Sequence, residues 1–273
     1  MTEPVAFEIN ARIAWVRFQR PEKRNAMNPA LNRRMLQILE DLEFREDVGV
    51  LVLAGEGAAR SAGMDLQEYF RDNEARGLGA VRAAQREAYG WWRRLRWYQK
   101  PTIAMVNGWC LGGAYGPLFA CDLAFAAHEA RFGLSEINWG ILPGGGATKV
   151  ARELLSFRRA MFHALTGESI DGRTAAEWGL VNESVPSAKL QARVTAIAKV
   201  LLEKNPAALK AAKDAVRRVA EMTYDNAEDY LVRAQEAANS FDPEGRKEAL
   251  RQFLDQKRYK PALKAYDRSK RPR

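Results

Sequence analysis

The sequence predicts an α/β protein whose C-terminal region is wholly helical, and two observations carry that prediction. As far as about Val185, short apolar strand patterns alternate with amphipathic helical patterns; from about Pro206 onward only helical patterns remain. Strands separated by helices need crossover connections and so pair in parallel. The strandless C-terminal part has apolar stripes that must be buried by packing. These features divide the chain into a core, 1–205, and a C-terminal helical region, 206–273, which must pack on the core or on a neighbouring subunit.

The elements follow in order. Residues Ala6 to Arg20 alternate apolar and polar, with Ile13, Trp15 and Phe18 marking faces, and read as strand until Pro21 interrupts. Asn28 and Pro29 supply a cap and a first-turn proline for a helix whose Leu31, Met35, Ile38 and Leu42 recur at helical spacing. VGVLVLAGEG is a short buried strand, and SAGMDLQEYF reads as a loop. A helix rich in arginine and aromatics then runs from about Ala80 to Trp97. TIAMVNGW is a second buried strand, and GPLFACDLAFA passes from helix into strand. Beyond Val185, SAKLQARVTAIAKVLLEK, PAALKAAKDAVRRVA, AEDYLVRAQEAANS and EGRKEALRQFLDQK are helices.

Composition narrows the function classes. With 273 residues, 47% of them hydrophobic, the chain can bury a substantial core. The net charge of +9 suits an anionic partner, and part of it lies in the tail AYDRSKRPR. No zinc-finger spacing, RNP-like motif or basic zipper accompanies it, so nucleic acid is not the expected partner. Cys110 and Cys121 lie in apolar stretches, which argues against a disulfide framework or a zinc site and for a reducing compartment. His128 and His163 belong to no metal or triad pattern and read as structural. The N-terminus lacks a signal-peptide pattern and no apolar run reaches the ~18 residues of a membrane span, so a cytoplasmic, non-membrane protein is expected.

The run from Lys100 to Asp122, KPTIAMVNGWCLGGAYGPLFACD, carries the most chemistry. An apolar strand breaks at glycines and resumes as a helix, which exposes backbone N–H groups suited to a developing oxyanion.

Together with RPEKRNAMN (Arg20 to Asn28), SAGMDL (Ser61 to Leu66) and ARFGLSEINWGILPGGG (Ala130 to Gly146), this run resembles the enoyl-CoA hydratase/isomerase, or crotonase, superfamily over nearly the whole chain. AGMDLQEYFRD, KPTIAMVNGWC, FGLSEINWGI and GLVNESVP are most similar to its hydroxycinnamoyl-CoA hydratase-lyase branch. The resemblance implies a spiral of ββα units capped by C-terminal helices, assembled as a homotrimer or a dimer of trimers. It implies an acyl-CoA thioester substrate with no metal and no separate cofactor, CoA being part of substrate and product. Feruloyl-, caffeoyl- and 4-coumaroyl-CoA are the candidates.

By the same resemblance, the backbone N–H groups of Met64 and Gly113 polarise the thioester carbonyl, and Glu136 is the general acid/base. Lys23 falls where the family contacts the CoA nucleotide. Ala62, Leu66, Ser135 and Trp139 match positions lining the CoA or acyl path, Gly144 one near the aromatic aldehyde, and Tyr69 a tyrosine that reaches the substrate ring.

The chain departs from the pattern twice. Many hydratases carry a glutamate, and the branch it most resembles a serine, at the position of Gly116. That branch has a tyrosine at the position of Val232, which Tyr230 cannot replace without rotation of the helix. An ordinary enoyl-CoA hydratase or isomerase is therefore the alternative activity, handicapped by the missing first glutamate.

Overall fold

The computed structural model describes residues 3–258 and 265–269, so the last four residues of the basic tail lie outside it. Two strands, β1 (Val5–Asn10) and β2 (Ile13–Phe18), form an antiparallel hairpin. This corrects the single strand read over Ala6 to Arg20. The turn residues Ala11 and Arg12 both have left-handed backbones, φ 48° and 64°. That is the twist a two-residue hairpin needs, adopted without the Asn-Gly or Asp-Gly that announces it in sequence.

Helix α1 (Pro29–Glu43) starts as its cap predicts. The Asn28 side chain accepts from the Leu31 N–H at 2.9 Å, and Leu31, Met35, Ile38 and Leu42 are fully buried. Strand β3 (Val50–Gly55) is buried throughout and is followed by β4 (Ala59–Ser61). SAGMDLQEYF is not all loop: Leu66–Arg71 form a π-helical turn whose N-cap, Asp65, accepts from the Gln67 and Glu68 N–H groups. Two helices follow, α2 (Asp72–Ala75) and α3 (Leu78–Arg96).

The chain then repeats a pattern of strand, strand, helix. It continues through β5 (Thr102–Val106), β6 (Trp109–Leu111), α4 (Tyr115–Ala120), β7 (Leu123–Ala127), β8 (Arg131–Gly133), α5 (Ala147–Leu154) and α6 (Phe157–Thr166). Next come β9 (Ile170–Asp171), α7 (Gly172–Trp178), β10 (Glu183–Val185) and α8 (Ser187–Glu203). Each pair β3/β4, β5/β6 and β7/β8 gives one strand to each of two sheets, ordered β1-β2-β3-β5-β7-β10 and β4-β6-β8-β9. Pairing is parallel except for β1/β2 and β8/β9. The turn from β5 to β6 admits only glycine at 108, since a Cβ there would lie 1.9 Å from the Ala58 carbonyl oxygen.

Buried Val, Leu, Ile and Phe side chains stabilise this core by roughly 1.5–3 kcal/mol each. Both cysteines are free and buried. The histidines tie elements together: His128 Nδ1 lies 3.0 Å from Ser184 Oγ, and His163 Nε2 lies 2.5 Å from Tyr115 Oη.

Two compact units divide at Ala196/Ile197, inside α8 and upstream of Pro206. The second contains α9 (Pro206–Val219), α10 (Tyr224–Phe241) and α11 (Pro243–Leu250). Tyr230 and Val232 lie on α10. No helix among the described residues is long and apolar enough to cross a membrane.

Candidate active site

Two motifs far apart in sequence are latched together beside β4. Asn25, buried and left-handed (φ 56°), donates to the carbonyls of Glu56 and Ala59 at 2.8 and 2.7 Å. The Ser61 hydroxyl donates to the Asn25 carbonyl, and the Ala62 N–H to that of Arg24. Met27 then pairs with Met64 as a parallel bridge, through Met27 N–H to Gly63 O and Asp65 N–H to Met27 O. Arg20 reinforces the junction by bonding the Ala26 carbonyl, Asp65 and Glu68. Lys23 ends the exposed 3-10 turn Pro21–Lys23, one residue from the Arg24–Ala62 contact.

The bridge uses the Gly63 carbonyl and the Asp65 N–H on either side of Met64 and leaves the Met64 N–H itself without a partner among the described residues. Gly112 (φ 50°) turns the chain after β6 so that Gly113 meets this segment. A Cβ on Gly113 would lie 3.3 Å from the Met64 nitrogen, and one on Gly63 would lie 3.1 Å from the Gly113 nitrogen. Neither the Met64 nor the Gly113 N–H has a hydrogen-bond partner among the described residues. Two adjacent free N–H groups on a rigid backbone can both donate to one oxygen that gains charge.

Glu136 faces the same turn from the 3-10 segment Ser135–Trp139. Its carboxylate lies over Gly112, where a Cβ would sit 2.8 Å from Oε1 and 3.2 Å from Oε2. Gly112 is thus required both for its left-handed backbone and for this approach. Oε2 is buried without a partner. Burial pushes the Glu136 carboxyl above the ordinary carboxylate range, opposed in part by its own backbone N–H. A carboxyl raised in this way holds a proton more readily than an exposed one and can both take and return it.

Behind Glu136 the Tyr115 hydroxyl, fully buried and bonded to His163, is held protonated by burial and by the nearby Cys110 and Glu136. Burial also depresses His163 to about 4, so its imidazole is neutral.

An aromatic cluster packs against Gly116, three residues after Gly113, and the sequence pattern marks little of it. The Trp92 ring lies against both Gly116 and Gly145: a Cβ on either would come within 2.6 and 2.5 Å of its ring carbons. Tyr89, one helical turn earlier on α3, packs on Trp92 with ring centroids 5.3 Å apart. Tyr69 is buried, and desolvation together with the neighbouring Tyr89 phenol raises its pKa. Tyr89 and Trp92 stand three residues apart on one helix face, a spacing visible in sequence but read there only as helical. Gly144, the expected residue, is adjacent to Gly145, but a Cβ there would meet the Leu142 carbonyl oxygen at 3.7 Å rather than Trp92.

The remaining expected residues differ in exposure. Ala62 and Ser135 are half-buried, whereas Leu66 and Trp139 are exposed. Among the described residues no three His, Cys, Asp or Glu side chains converge as a metal-ligand set.

The sequence profile of the enoyl-CoA hydratase/isomerase family matches residues 8–262. A hydroxycinnamoyl-CoA hydratase-lyase of Pseudomonas fluorescens is 51% identical over 97% of this chain and 96% of its own length. A 2,3-dehydroadipyl-CoA hydratase of Escherichia coli K12 is 34% identical over 77% of this chain and 80% of its own. An enoyl-CoA hydratase subunit from Geobacillus kaustophilus HTA426 superposes with a TM-score of 0.84 at 28% identity, covering 96% of this chain and 99% of the other. Carrying the paired free donors, the facing carboxylate and the two-sheet spiral, the chain belongs to the enoyl-CoA hydratase/isomerase, or crotonase, family.

Proposed function

We propose that this protein is a hydroxycinnamoyl-CoA hydratase-lyase acting on feruloyl-, caffeoyl- or 4-coumaroyl-CoA. The observation that carries the reading is one raised carboxylate, Glu136, facing the turn that holds the Met64 and Gly113 N–H groups, with no second carboxylate at 116 such as the two-glutamate hydratases carry. Trp92 fills the space at Gly116, where the serine of the hydroxycinnamoyl branch is absent as well. The 51% identity to a hydroxycinnamoyl-CoA hydratase-lyase supports the reading.

In this reading the thioester oxygen is held by the Met64 and Gly113 N–H groups, which stabilise the enolate more than the ground-state carbonyl. Glu136 takes a proton from water as the hydroxide adds to the β-carbon and gives that proton to the α-carbon, which restores the carboxylate. The β-hydroxyl next gives its proton to Glu136 while the Cα–Cβ bond breaks. The aromatic aldehyde departs and the acetyl-CoA enolate takes the proton from Glu136 at carbon. No metal or redox group enters any step. Tyr69 contacts the substrate ring, Lys23 attracts CoA phosphate as a point charge, and Ala62, Leu66, Ser135, Trp139 and Gly144 line the path. The protein works in the cytoplasm as a homotrimer or a dimer of trimers, with the region from 206 capping and joining protomers.

Incubation with feruloyl-CoA and, separately, with crotonyl-CoA tests the proposal. Release of an aromatic aldehyde and acetyl-CoA from the first is expected. Hydration of crotonyl-CoA with no aldehyde from feruloyl-CoA would reject it in favour of an ordinary hydratase.

A further inference from the structure

Arg60 is fully buried in β4 and has no carboxylate partner among the described residues. One nitrogen, Nη1, donates to the Ala114 carbonyl at 3.2 Å; Nε and Nη2 are buried without a hydrogen-bond acceptor. The guanidinium otherwise lies beside the Cys110 thiol and over the Phe18 ring, 5.9 Å from its centroid. A guanidinium keeps its charge in a protein interior, and an unpaired buried charge is among the most costly features a fold can carry. Nothing in the packing of β4 requires it, since an apolar side chain would suit Phe18 and Cys110 better.

Its position supplies a reason. Arg60 belongs to the strand that runs directly into Ala62–Met64, and its one hydrogen bond goes to the residue after Gly113. It therefore touches both segments whose free N–H groups face one another. The uncompensated charge lies next to the two segments that would hold an oxyanion.

We infer that Arg60 is an electrostatic positioning residue for the oxyanion hole, its missing counter-charge being the enolate that forms only during turnover. It does not touch substrate. It orients the 112–114 turn through the Ala114 carbonyl and adds a fixed positive potential in a site with little water to screen it. The inference rests on the reading of Met64 and Gly113 as the donors.

The test uses two variants, R60M and R60K, and two readouts. Methionine keeps the volume and removes the charge, and replacing a buried unpaired charge by an apolar group leaves stability unchanged or raised. Lysine keeps the charge. Acetoacetyl-CoA serves as the binding probe because its enolate absorbs in the near ultraviolet, whichever acyl-CoA the enzyme turns over. The wild-type protein should bind it partly as the enolate. In R60M the bound enolate fraction should fall, and kcat should drop about tenfold with KM within twofold; R60K should recover part of both. Equal enolate fraction and kcat in wild type and R60M would overturn the inference and leave Arg60 as packing. Absence of bound enolate in the wild type would overturn the reading of the donors, and the inference with it.

Discussion

The Trp92 indole occupies the volume in which a side chain on residue 116 would begin. A Cβ at Gly116 would lie 2.6 Å from Cε3, closer than real carbon atoms approach. The glycine and the tryptophan are therefore one structural decision, and a hydroxyl or carboxylate at 116 requires Trp92 to shift.

Gly116→Ser should destabilise the protein by about 1–3 kcal/mol through overpacking against the indole. Adding Trp92→Leu should recover part of that loss, so thermal unfolding of the two single variants and the double variant should show a favourable coupling. Strict additivity would mean that the two positions do not share space.

Glu136→Gln should lower kcat by about 10²–10⁴-fold while acyl-CoA binding, measured by calorimetry, changes little. Lost binding with unchanged turnover per bound substrate would remove Glu136 from its acid/base role.

The same substitution has a stability signature. Burial raises the Glu136 carboxyl above its unfolded value, so between the two values the native state holds the extra proton, and stability falls as pH rises through that window. Glu136→Gln should therefore raise Tm at neutral pH, with the gain disappearing below the ordinary carboxylate range. The pH dependence of kcat/KM should show its base limb above that range.

His163 acts with the opposite sign. Its folded value of about 4 lies below the ordinary 6.5, so the unfolded chain binds the additional proton between them. Stability is full above 6.5 and is lost as pH falls toward 4, by roughly 3 kcal/mol. His163→Gln keeps a partner for the Tyr115 hydroxyl and cannot titrate, so denaturant melts across this range should flatten.

Asn25→Ala should be among the most damaging changes outside the centre. It leaves the Glu56 and Ala59 carbonyls without their donor and puts alanine in a left-handed backbone, a combined cost of about 2–4 kcal/mol. Asn25→Gly relieves the backbone part alone, and chemical denaturation should rank it between wild type and alanine.

Much of this was legible in the sequence. The cap Asn28–Pro29, the stripe Leu31/Met35/Ile38/Leu42 and the buried strands each follow from local periodicity, and local periodicity is preserved on folding. The hairpin turn was hidden because Ala11 and Arg12 adopt left-handed backbones without glycine. The helical turn after Met64 did leave a signal: Asp65 with Glu68 three residues on is a helix-start pattern, masked by the glycine beside it. Met64, Gly113 and Glu136 could be nominated from motif resemblance. Arg60, Tyr89, Trp92 and Gly145 could not, because their significance lies in what they face across the fold, and a sequence records that only through tertiary contact.

The latch between Arg20–Asn28 and Ser61–Leu66 also has a kinetic consequence. The Met64 donor is oriented by Met27 and Asn25 on one side and meets Gly113 on the other, so the pair exists only after three distant stretches of chain have come into register. Contacts of such long sequence separation form late and slowly. During refolding, recovery of enolate binding should therefore lag behind burial of the tryptophans, and activity becomes a clock for the last event of folding rather than for collapse.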